Sequence, residues 1–157
     1  MNKTIKALLI FAMEDVHKSK NRNIPMLGIA YLQSSIQKAG FYCKRIDPFK
    51  NNYIFNKDDI IAEIIDGQYD VIGFSILECN CQFSLEMAST IKKIKPTVKI
   101  LFGGIYATIM NERLLEYTCV DVVMRGEGEL AIVELIKDLQ INGDFTKQVS
   151  GCSYRWM

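Results

Sequence analysis

Asp70–Leu77 (DVIGFSIL) is the stretch that decides the fold. Its apolar residues run almost without interruption, which is typical of a central strand of a parallel sheet that is covered on both faces. Apolar runs of strand length recur on either side of it, at Lys6–Ala12, Val98–Phe102 and Val120–Met124, and Tyr42–Ile46 is predicted as a further short strand. The chain is therefore predicted to contain five main strands.

Amphipathic stretches separate these strands. Met26–Lys38 has apolar residues close to helical spacing, and Asp58–Ile65 carries isoleucines on one helix face before Gly67. Further helices are predicted at Phe83–Lys95, Asn111–Tyr117 and Glu129–Leu139. Alternation of strand and helix implies right-handed crossovers and helices on both faces of the sheet. We predict an α/β, three-layer, doubly wound (Rossmann/flavodoxin-like) sheet of five parallel strands in the order 2-1-3-4-5, and Gln148–Trp156 suggests an extra C-terminal strand.

Composition limits the classes of protein. The chain has 157 residues, a net charge of +1 and 49% hydrophobic residues, so we expect a single domain over residues 1–157 with its core at 6–141. No basic block provides an electrostatic footprint for nucleic acid or anionic lipid. The N-terminal apolar run Ala7–Met13 lacks a following cleavage site and is far shorter than the roughly 20 residues of a membrane helix. Five scattered cysteines do not form the framework of a secreted scaffold. We expect a cytoplasmic protein with no nucleic-acid or membrane partner.

A ligand site is expected at one edge of this sheet, because doubly wound sheets bind ligands beyond the carboxyl ends of their strands. Strand one is followed by the long polar loop Met13–Pro25, and strand three ends at the hydroxyl residue Ser75. Gly103 and Gly104 follow strand four, and paired glycines allow a bulky flat or charged group to approach the backbone closely. Arg125–Glu129, after strand five, contains two more glycines.

Several catalytic and cofactor motifs are absent from the sequence. No G-x-G-x-x-G follows strand one, and there is no P-loop and no G-x-S-x-G elbow. Cys79 and Cys81 lack a second pair at zinc-finger spacing, and no C-x-x-x-C-x-x-C run is present. A response regulator would need an acceptor aspartate after strand three and a lysine after strand five, where this chain has Ser-Ile-Leu-Glu and Arg-Gly-Glu. We expect no hydrolase activity and no iron–sulfur or zinc site in this chain.

Four stretches occur together in a characteristic order and spacing. They are Ile24–Leu32 (IPMLGIAYL), Asp70–Ser75 (DVIGFS), Phe102–Thr108 (FGGIYAT) and Val123–Glu129 (VMRGEGE). Together they resemble the N-terminal cobalamin-binding domain of cobalamin-dependent radical S-adenosylmethionine (radical SAM) enzymes, over nearly the whole chain. The resemblance implies a Rossmann-like domain whose strand-end loops hold the corrin ring, while the nucleotide tail of cobalamin runs into the sheet edge.

The resemblance also implies site residues. Ser75 and Leu77 match the S-x-L of cobalamin domains. The full set of expected cofactor-binding residues is Ser75, Leu77, Gly103, Gly104, Tyr106, Thr108, Gly126, Glu127 and Gly128. Two positions depart from the family pattern, because Tyr106 stands where the family usually has histidine and Asn111 where it usually has proline. No catalytic residue is expected in this chain.

His17 is a candidate ligand of cobalt. Asp15–Lys20 (DVHKSK) stands where cobalamin-dependent mutases and methionine synthase carry D-x-H-x-x-G, in which the histidine binds cobalt and the aspartate fixes its tautomer. Lys20 replaces the glycine, and Asn21–Ile24 separates the motif from the helix that follows. A solvated loop histidine is therefore the alternative interpretation.

The leading hypothesis is a cobalamin-binding module of a radical SAM enzyme, of the methyltransferase type, that does not catalyse by itself. The [4Fe-4S] cluster and S-adenosylmethionine are then expected only in a catalytic partner domain, supplied in cis or in trans. The tail at 148–157 resembles the segment that leads toward the catalytic barrel, which is not in this sequence. One alternative is a stand-alone corrinoid carrier or sensor that uses His17. The other is a flavodoxin-like domain that binds a different ligand or none.

Overall fold

The computed structural model describes residues 4–12, 26–47 and 57–155. Its helices and strands are, in chain order, β1 (Lys6–Ile10), α1 (Leu27–Lys38), β2 (Tyr42–Ile46), α2 (Lys57–Gly67), β3 (Val71–Ser75), α3 (Glu78–Ile94), β4 (Lys99–Gly103), α4 (Ile105–Ile109), α5 (Asn111–Leu115), β5 (Val122–Met124), α6 (Glu129–Asn142) and β6 (Cys152–Tyr154). None of the helices in these ranges is both long enough and apolar enough to cross a membrane.

In this part of the chain the strands form one six-stranded sheet in the order β2-β1-β3-β4-β5-β6. The first five strands are parallel, and β6 runs antiparallel to β5. The α/β fold, the strand order 2-1-3-4-5 and the extra C-terminal strand are thereby confirmed. β3 lies in the interior, with Gly73 opposite Leu9 of β1 and Leu101 of β4. This position explains why β3 contains no polar side chain before Ser75 at its end.

Helices cover both faces of the sheet and create two cores. Alternate strand residues point to opposite faces. Ile72 and Phe74 of β3 enter the core that contains buried residues of α2, α3 and α5. Leu9, Leu101 and Val122 enter the other core, together with buried residues of α1 and α6. The cofactor-binding residues expected from the sequence lie at or after the carboxyl ends of the strands.

Two helices differ from the sequence-based expectation. α3 begins at Glu78, ahead of the predicted start at Phe83, because the buried Asn80 closes the turn that precedes it. The Asn80 side chain accepts a hydrogen bond from the Leu77 N–H at 2.7 Å and donates one to the Ser75 carbonyl at 3.2 Å. The polar residues after β3 therefore belong to a helix and not to a loop. The short helix α4 was not predicted, and it begins directly after the glycine pair that ends β4.

The C-terminal strand is attached to β5 next to the loop that leads into α6. The Arg125 N–H donates a hydrogen bond to the Gly151 carbonyl at 2.7 Å, and the Val149 N–H donates to the Tyr154 hydroxyl at 3.0 Å. At the other end of β5, the Asp121 carboxylate forms an ion pair with Lys92 at 2.7 Å. These contacts hold the start and the end of β5 in place.

Candidate functional site

A cleft of about 430 Å³ lies at the carboxyl edge of the sheet, between the strands and α1. Leu9, Leu101 and Met124 of three different strands contribute to its floor, and Ile29 and Leu32 of α1 line the opposite wall. The cleft therefore lies at the sheet edge where the sequence predicts a ligand.

Small residues on β3 and β4 create the space. Gly73, Ser75 and Gly103 occupy strand positions that point toward the α1 side of the sheet, and all three line the cleft. A Cβ atom on Gly73 would lie 2.9 Å from Leu9 Cδ2, so a side chain at this position would require the end of the Leu9 side chain to shift. Bulky residues at these positions would fill the cleft with apolar side chains, as happens elsewhere in the same core.

The turn after β3 is held by three hydrogen bonds. The two bonds of Asn80 tie the Ser75 carbonyl to the Leu77 N–H, and the Ile76 N–H donates to the Gly103 carbonyl at 2.8 Å. The backbone around Ser75 is thus fixed from two sides. Within the described residues, the Ser75 hydroxyl makes no hydrogen bond, so it remains able to bind a ligand.

The two glycines after β4 have different roles. Gly104 has φ +100° and ψ −179°, a conformation that is essentially restricted to glycine. A Cβ atom there would lie 2.9 Å from the carbonyl oxygen of Ile76. Gly103 has no positive φ, and a Cβ atom on it would lie 3.5 Å from Met124 Cε, an ordinary contact. Gly104 therefore makes the turn possible, whereas Gly103 leaves space in the cleft.

Thr108 joins the loops that follow β4 and β5. Its hydroxyl donates a hydrogen bond to the Gly104 carbonyl at 3.0 Å and accepts one from the Gly126 N–H at 2.9 Å. A hydroxyl has a single hydrogen to donate, and here Gly104 receives it. Thr108 therefore shapes the wall of the cleft, and toward a ligand its hydroxyl can only accept.

The rim of the cleft is acidic and apolar. Among the described residues that line it, the charged side chains are those of Glu127 and Glu129. Ile105 and Ile109 of α4 also line the cleft and are 68% and 70% exposed. The carboxylates at the rim can accept hydrogen bonds from a ligand that carries amide donors.

The structure brings most of the expected site residues together, but not all of them. Those that line the cleft are Ser75, Gly103, Gly104, Thr108, Gly126, Glu127 and Gly128. Leu77 and Tyr106 do not line it. Leu77 is the residue before α3, and Tyr106 packs against the core on the opposite face of the sheet. His17 and the loop Met13–Pro25 lie outside the described residues.

Sequence reasoning missed the inner surface of the cleft. Gly73, Leu9, Leu101, Met124 and the α1 residues were not singled out, although they line it. One signal was available, because a glycine inside an otherwise apolar central strand often marks a close approach by another group. The buried Asn80 was also missed, since it stood in a segment interpreted as a polar loop.

The cysteines near the site do not form a metal centre in the described part of the chain, where no group of three or more histidine, cysteine or carboxylate side chains is close enough to hold an ion. Cys79 is exposed at the start of α3, and burial raises the pKa of the Cys81 thiol. A raised thiol pKa disfavours the thiolate that metals bind.

Comparison with known proteins gives consistent results. An uncharacterized methyltransferase of Pyrococcus horikoshii is 32% identical over 132 residues, which are 83% of this chain and 28% of that protein. The radical SAM methyltransferase TsrM of Kitasatospora setae, solved with cobalamin and a [4Fe-4S] cluster bound, superposes with a TM-score of 0.78 at 16% identity. The cobalamin-dependent radical SAM enzyme OxsB, solved with aqua-cobalamin and S-adenosylmethionine, gives a TM-score of 0.77 at 23% identity.

These proteins are much longer than this chain. The match covers 97% of this chain in both structures, but only 29% of TsrM and 21% of OxsB. The chain thus spans about a quarter of the length of the relatives that it matches. A family model described as the B12 binding domain matches residues 18–136, which include every strand-end loop of the cleft from β3 onward. The resemblance found in the sequence is confirmed, and the chain belongs to the B12-binding domain family.

Proposed function

We propose that the cleft holds the nucleotide tail of cobalamin while the corrin ring lies over the strand-end loops. Cobalamin is the cofactor that membership of the B12-binding family gives to this domain. The observation that carries the proposal is the cleft formed by Gly73, Ser75 and Gly103 at the carboxyl edge of the sheet. Its lack of side chains leaves room for a group that enters from the edge.

The size of the cleft supports this division of the cofactor. Ligand pockets run from about 300 to 1,000 Å³, and this one, at about 430 Å³, is near the lower end. It accommodates a two-ring base with its sugar but not a macrocycle. The ring would instead lie against exposed apolar side chains at the mouth, such as Ile105 and Ile109, which line the cleft.

The polar residues of the cleft have separate tasks in this proposal. Ser75 offers a free hydroxyl to the tail, and Gly103 and Gly104 allow the backbone to approach it closely. The carboxylates of Glu127 and Glu129 accept hydrogen bonds from the amide side chains of the ring. When bound, cobalamin supplies a cobalt centre that can carry a methyl group. The residues of this chain would bind and orient the cofactor.

We further propose that the domain serves a radical SAM reaction of the methyltransferase type. The Pyrococcus relative and TsrM are both named as methyltransferases, which supports this choice. The cluster and S-adenosylmethionine would belong to a catalytic domain in cis or in trans, so this chain alone would bind cobalamin without turnover. In the same proposal residues 6–141 form the core of one domain in a cytoplasmic protein.

Absorption spectroscopy tests cobalamin binding directly. We expect the purified protein to retain cobalamin through gel filtration, with a visible spectrum that differs from that of the free cofactor. Ser75→Ala is expected to weaken binding about fivefold, the value of one hydrogen bond, whereas Ser34→Ala on α1, which does not line the cleft, serves as the matched control. A protein at tens of micromolar that retains no cobalamin would contradict the proposal.

A stand-alone corrinoid carrier or sensor is the second candidate, and the Asp15–His17 motif favours it. The spectrum of bound cobalamin reports the lower ligand of cobalt. If His17→Ala changes the spectrum and weakens binding, His17 ligates cobalt and the carrier gains support. An unchanged spectrum and affinity would remove this candidate.

A further inference from the structure

The inner part of the cleft is lined by hydrocarbon. Leu9, Leu101 and Ile29 are each no more than 2% exposed, and Met124 is 4% exposed. They surround the bare backbone of Gly73. A group that enters this part of the cleft meets methyl and methylene groups on the sheet side and on the α1 side.

The backbone groups of Gly73 and the carbonyls of Gly103 and Gly104 already have partners. The peptide groups of Gly73 are part of the ladders with β1 and β4. The Gly103 carbonyl accepts from the Ile76 N–H, and the Gly104 carbonyl accepts from both the N–H and the hydroxyl of Thr108. The Gly104 carbonyl, which has two donors, has no free lone pair for a ligand, and the Gly73 and Gly103 groups each have a protein partner already.

Among the described residues that line the cleft, the unpaired polar side chains lie toward the mouth. Ser75 is two residues beyond Gly73 along β3, roughly 6–7 Å nearer the carboxyl edge. Glu127 is exposed, and Glu129 lies in the first turn of α6. The cleft therefore has polar groups at its entrance and hydrocarbon at its inner end.

From this gradient we propose that the cleft selects corrinoids by the base at the end of the nucleotide tail. It accepts an apolar base, such as dimethylbenzimidazole or a phenol, and discriminates against adenine. Adenine carries an exocyclic amine and several ring nitrogens that would be buried without partners, which is costly. Dimethylbenzimidazole carries two methyl groups and one free ring nitrogen, and p-cresol has no free polar atom. The inference rests on the proposed placement of the tail in the cleft.

A series of four probes tests the selection in the wild-type protein. The probes are cobalamin, p-cresolyl cobamide, adeninyl cobamide and cobinamide, which has no base. All are used as dicyano forms, in which cyanide occupies both axial positions, so that differences in base–cobalt bonding do not enter. We expect cobalamin and the p-cresolyl form to bind at least about tenfold more tightly than the adeninyl form, because adenine would bury one or more polar groups without hydrogen-bond partners. Equilibrium dialysis with absorbance detection measures each dissociation constant.

The outcomes separate this inference from the proposed function. If the adeninyl form binds within twofold of cobalamin, the selection is refuted while cobalamin binding stands. If cobinamide binds as tightly as cobalamin, the base does not occupy the cleft, and the inference fails. If no probe binds, the proposed function itself fails.

A variant gives an independent measurement. Leu32 is half-buried on the α1 wall, so Leu32→Gln adds an amide that can pair with adenine at a position that tolerates a polar side chain. We expect this variant to narrow the preference for cobalamin over the adeninyl form by threefold or more. An unchanged or wider preference would contradict a base packed against α1. Thermal unfolding checks that the variant is folded, and the wild-type series remains decisive if it is not.

Discussion

Replacing the two adjacent glycines after β4 by alanine, one at a time, is expected to have opposite consequences. At Gly104 the φ of +100° and ψ of −179° lie in a region that costs another residue about 1–3 kcal/mol. The added Cβ atom would also lie 2.9 Å from the carbonyl oxygen and 3.2 Å from the nitrogen of Ile76. Both are backbone atoms of a turn that Asn80 holds in place, so a side-chain rotation cannot relieve the contact. Overpacking of this kind costs about a further 1–3 kcal/mol.

The expected destabilisation by Gly104→Ala is therefore about 2–6 kcal/mol, a large part of the 5–15 kcal/mol typical of a domain. Gly103→Ala provides the matched control, because it makes the same chemical change one residue earlier. Its Cβ atom would lie 3.5 Å from the flexible end of Met124, so its stability should stay within about 1 kcal/mol of the wild type. Its methyl group would nevertheless lie in the cleft and weaken cobalamin binding.

Urea unfolding followed by circular dichroism measures the free energy of unfolding, and titration with cobalamin measures binding. Each kcal/mol lowers the melting temperature by about 2–4 °C in a domain of this size. We expect Gly104→Ala to unfold at clearly lower urea and temperature, and Gly103→Ala to lose affinity while it remains stable. Equal stability losses in the two variants, or a Gly104→Ala protein within 1 kcal/mol of the wild type, would refute this interpretation of the turn.

Three further predictions concern hydrogen bonds and thiols. Thr108→Val removes the hydroxyl that joins the two loops, so it should lower the free energy of unfolding by about 1 kcal/mol and weaken cobalamin binding. Thr108→Ser keeps the hydroxyl and should retain both stability and binding. If urea unfolding and cobalamin titration show equal losses in the two variants, the linking role is contradicted. Asn80→Ala removes two hydrogen bonds of a fully buried side chain and should lower the free energy of unfolding by about 2–3 kcal/mol, which a urea midpoint measures. Burial raises the pKa of the Cys43 thiol to about 12 and that of the Cys152 thiol to about 11, from 9.0. Above pH 9 these thiols lose their protons more readily in the unfolded chain than in the folded one. The free energy of unfolding should therefore fall as the pH rises toward 11. Urea midpoints that do not fall between pH 8 and pH 10.5 would argue against burial of these thiols.

Much of the fold could be predicted because it depends on repetition. Burial on both faces of a sheet requires apolar strands and helices with one apolar face. Both patterns are visible in the amino-acid sequence. The two errors arose where a few side-chain contacts determine the backbone. Asn80 caps its own turn and draws a polar segment into α3, and the Gly103–Gly104 pair allows α4 to begin with no intervening loop. Neither effect has a periodic signal.

The site could be predicted at its strand ends but not in its depth. Ser75 and the glycines after β4 and β5 were identified because doubly wound sheets bind ligands at the carboxyl edge and because these residues carry the family resemblance. The inner wall depends on which α1 residues face the sheet, and that requires the packing of α1 against the strands. Gly73 was not identified as a site residue, although it could have been. It lies two residues before Ser75 in β3, and strand alternation places both residues on the same face of the sheet.

The position of Tyr106 resolves one departure from the family pattern. The family resemblance implies histidine at this position, and a change of chemistry at a cofactor contact would be expected to alter the site. In this structure the Tyr106 side chain packs against the core on the other face of the sheet, and the adjacent Ile105 lines the cleft instead. Successive residues of a helix point about 100° apart, so a cleft-facing Ile105 turns Tyr106 away from it. The side chain at position 106 therefore does not line the cleft, so tyrosine in place of histidine leaves the lining residues unchanged.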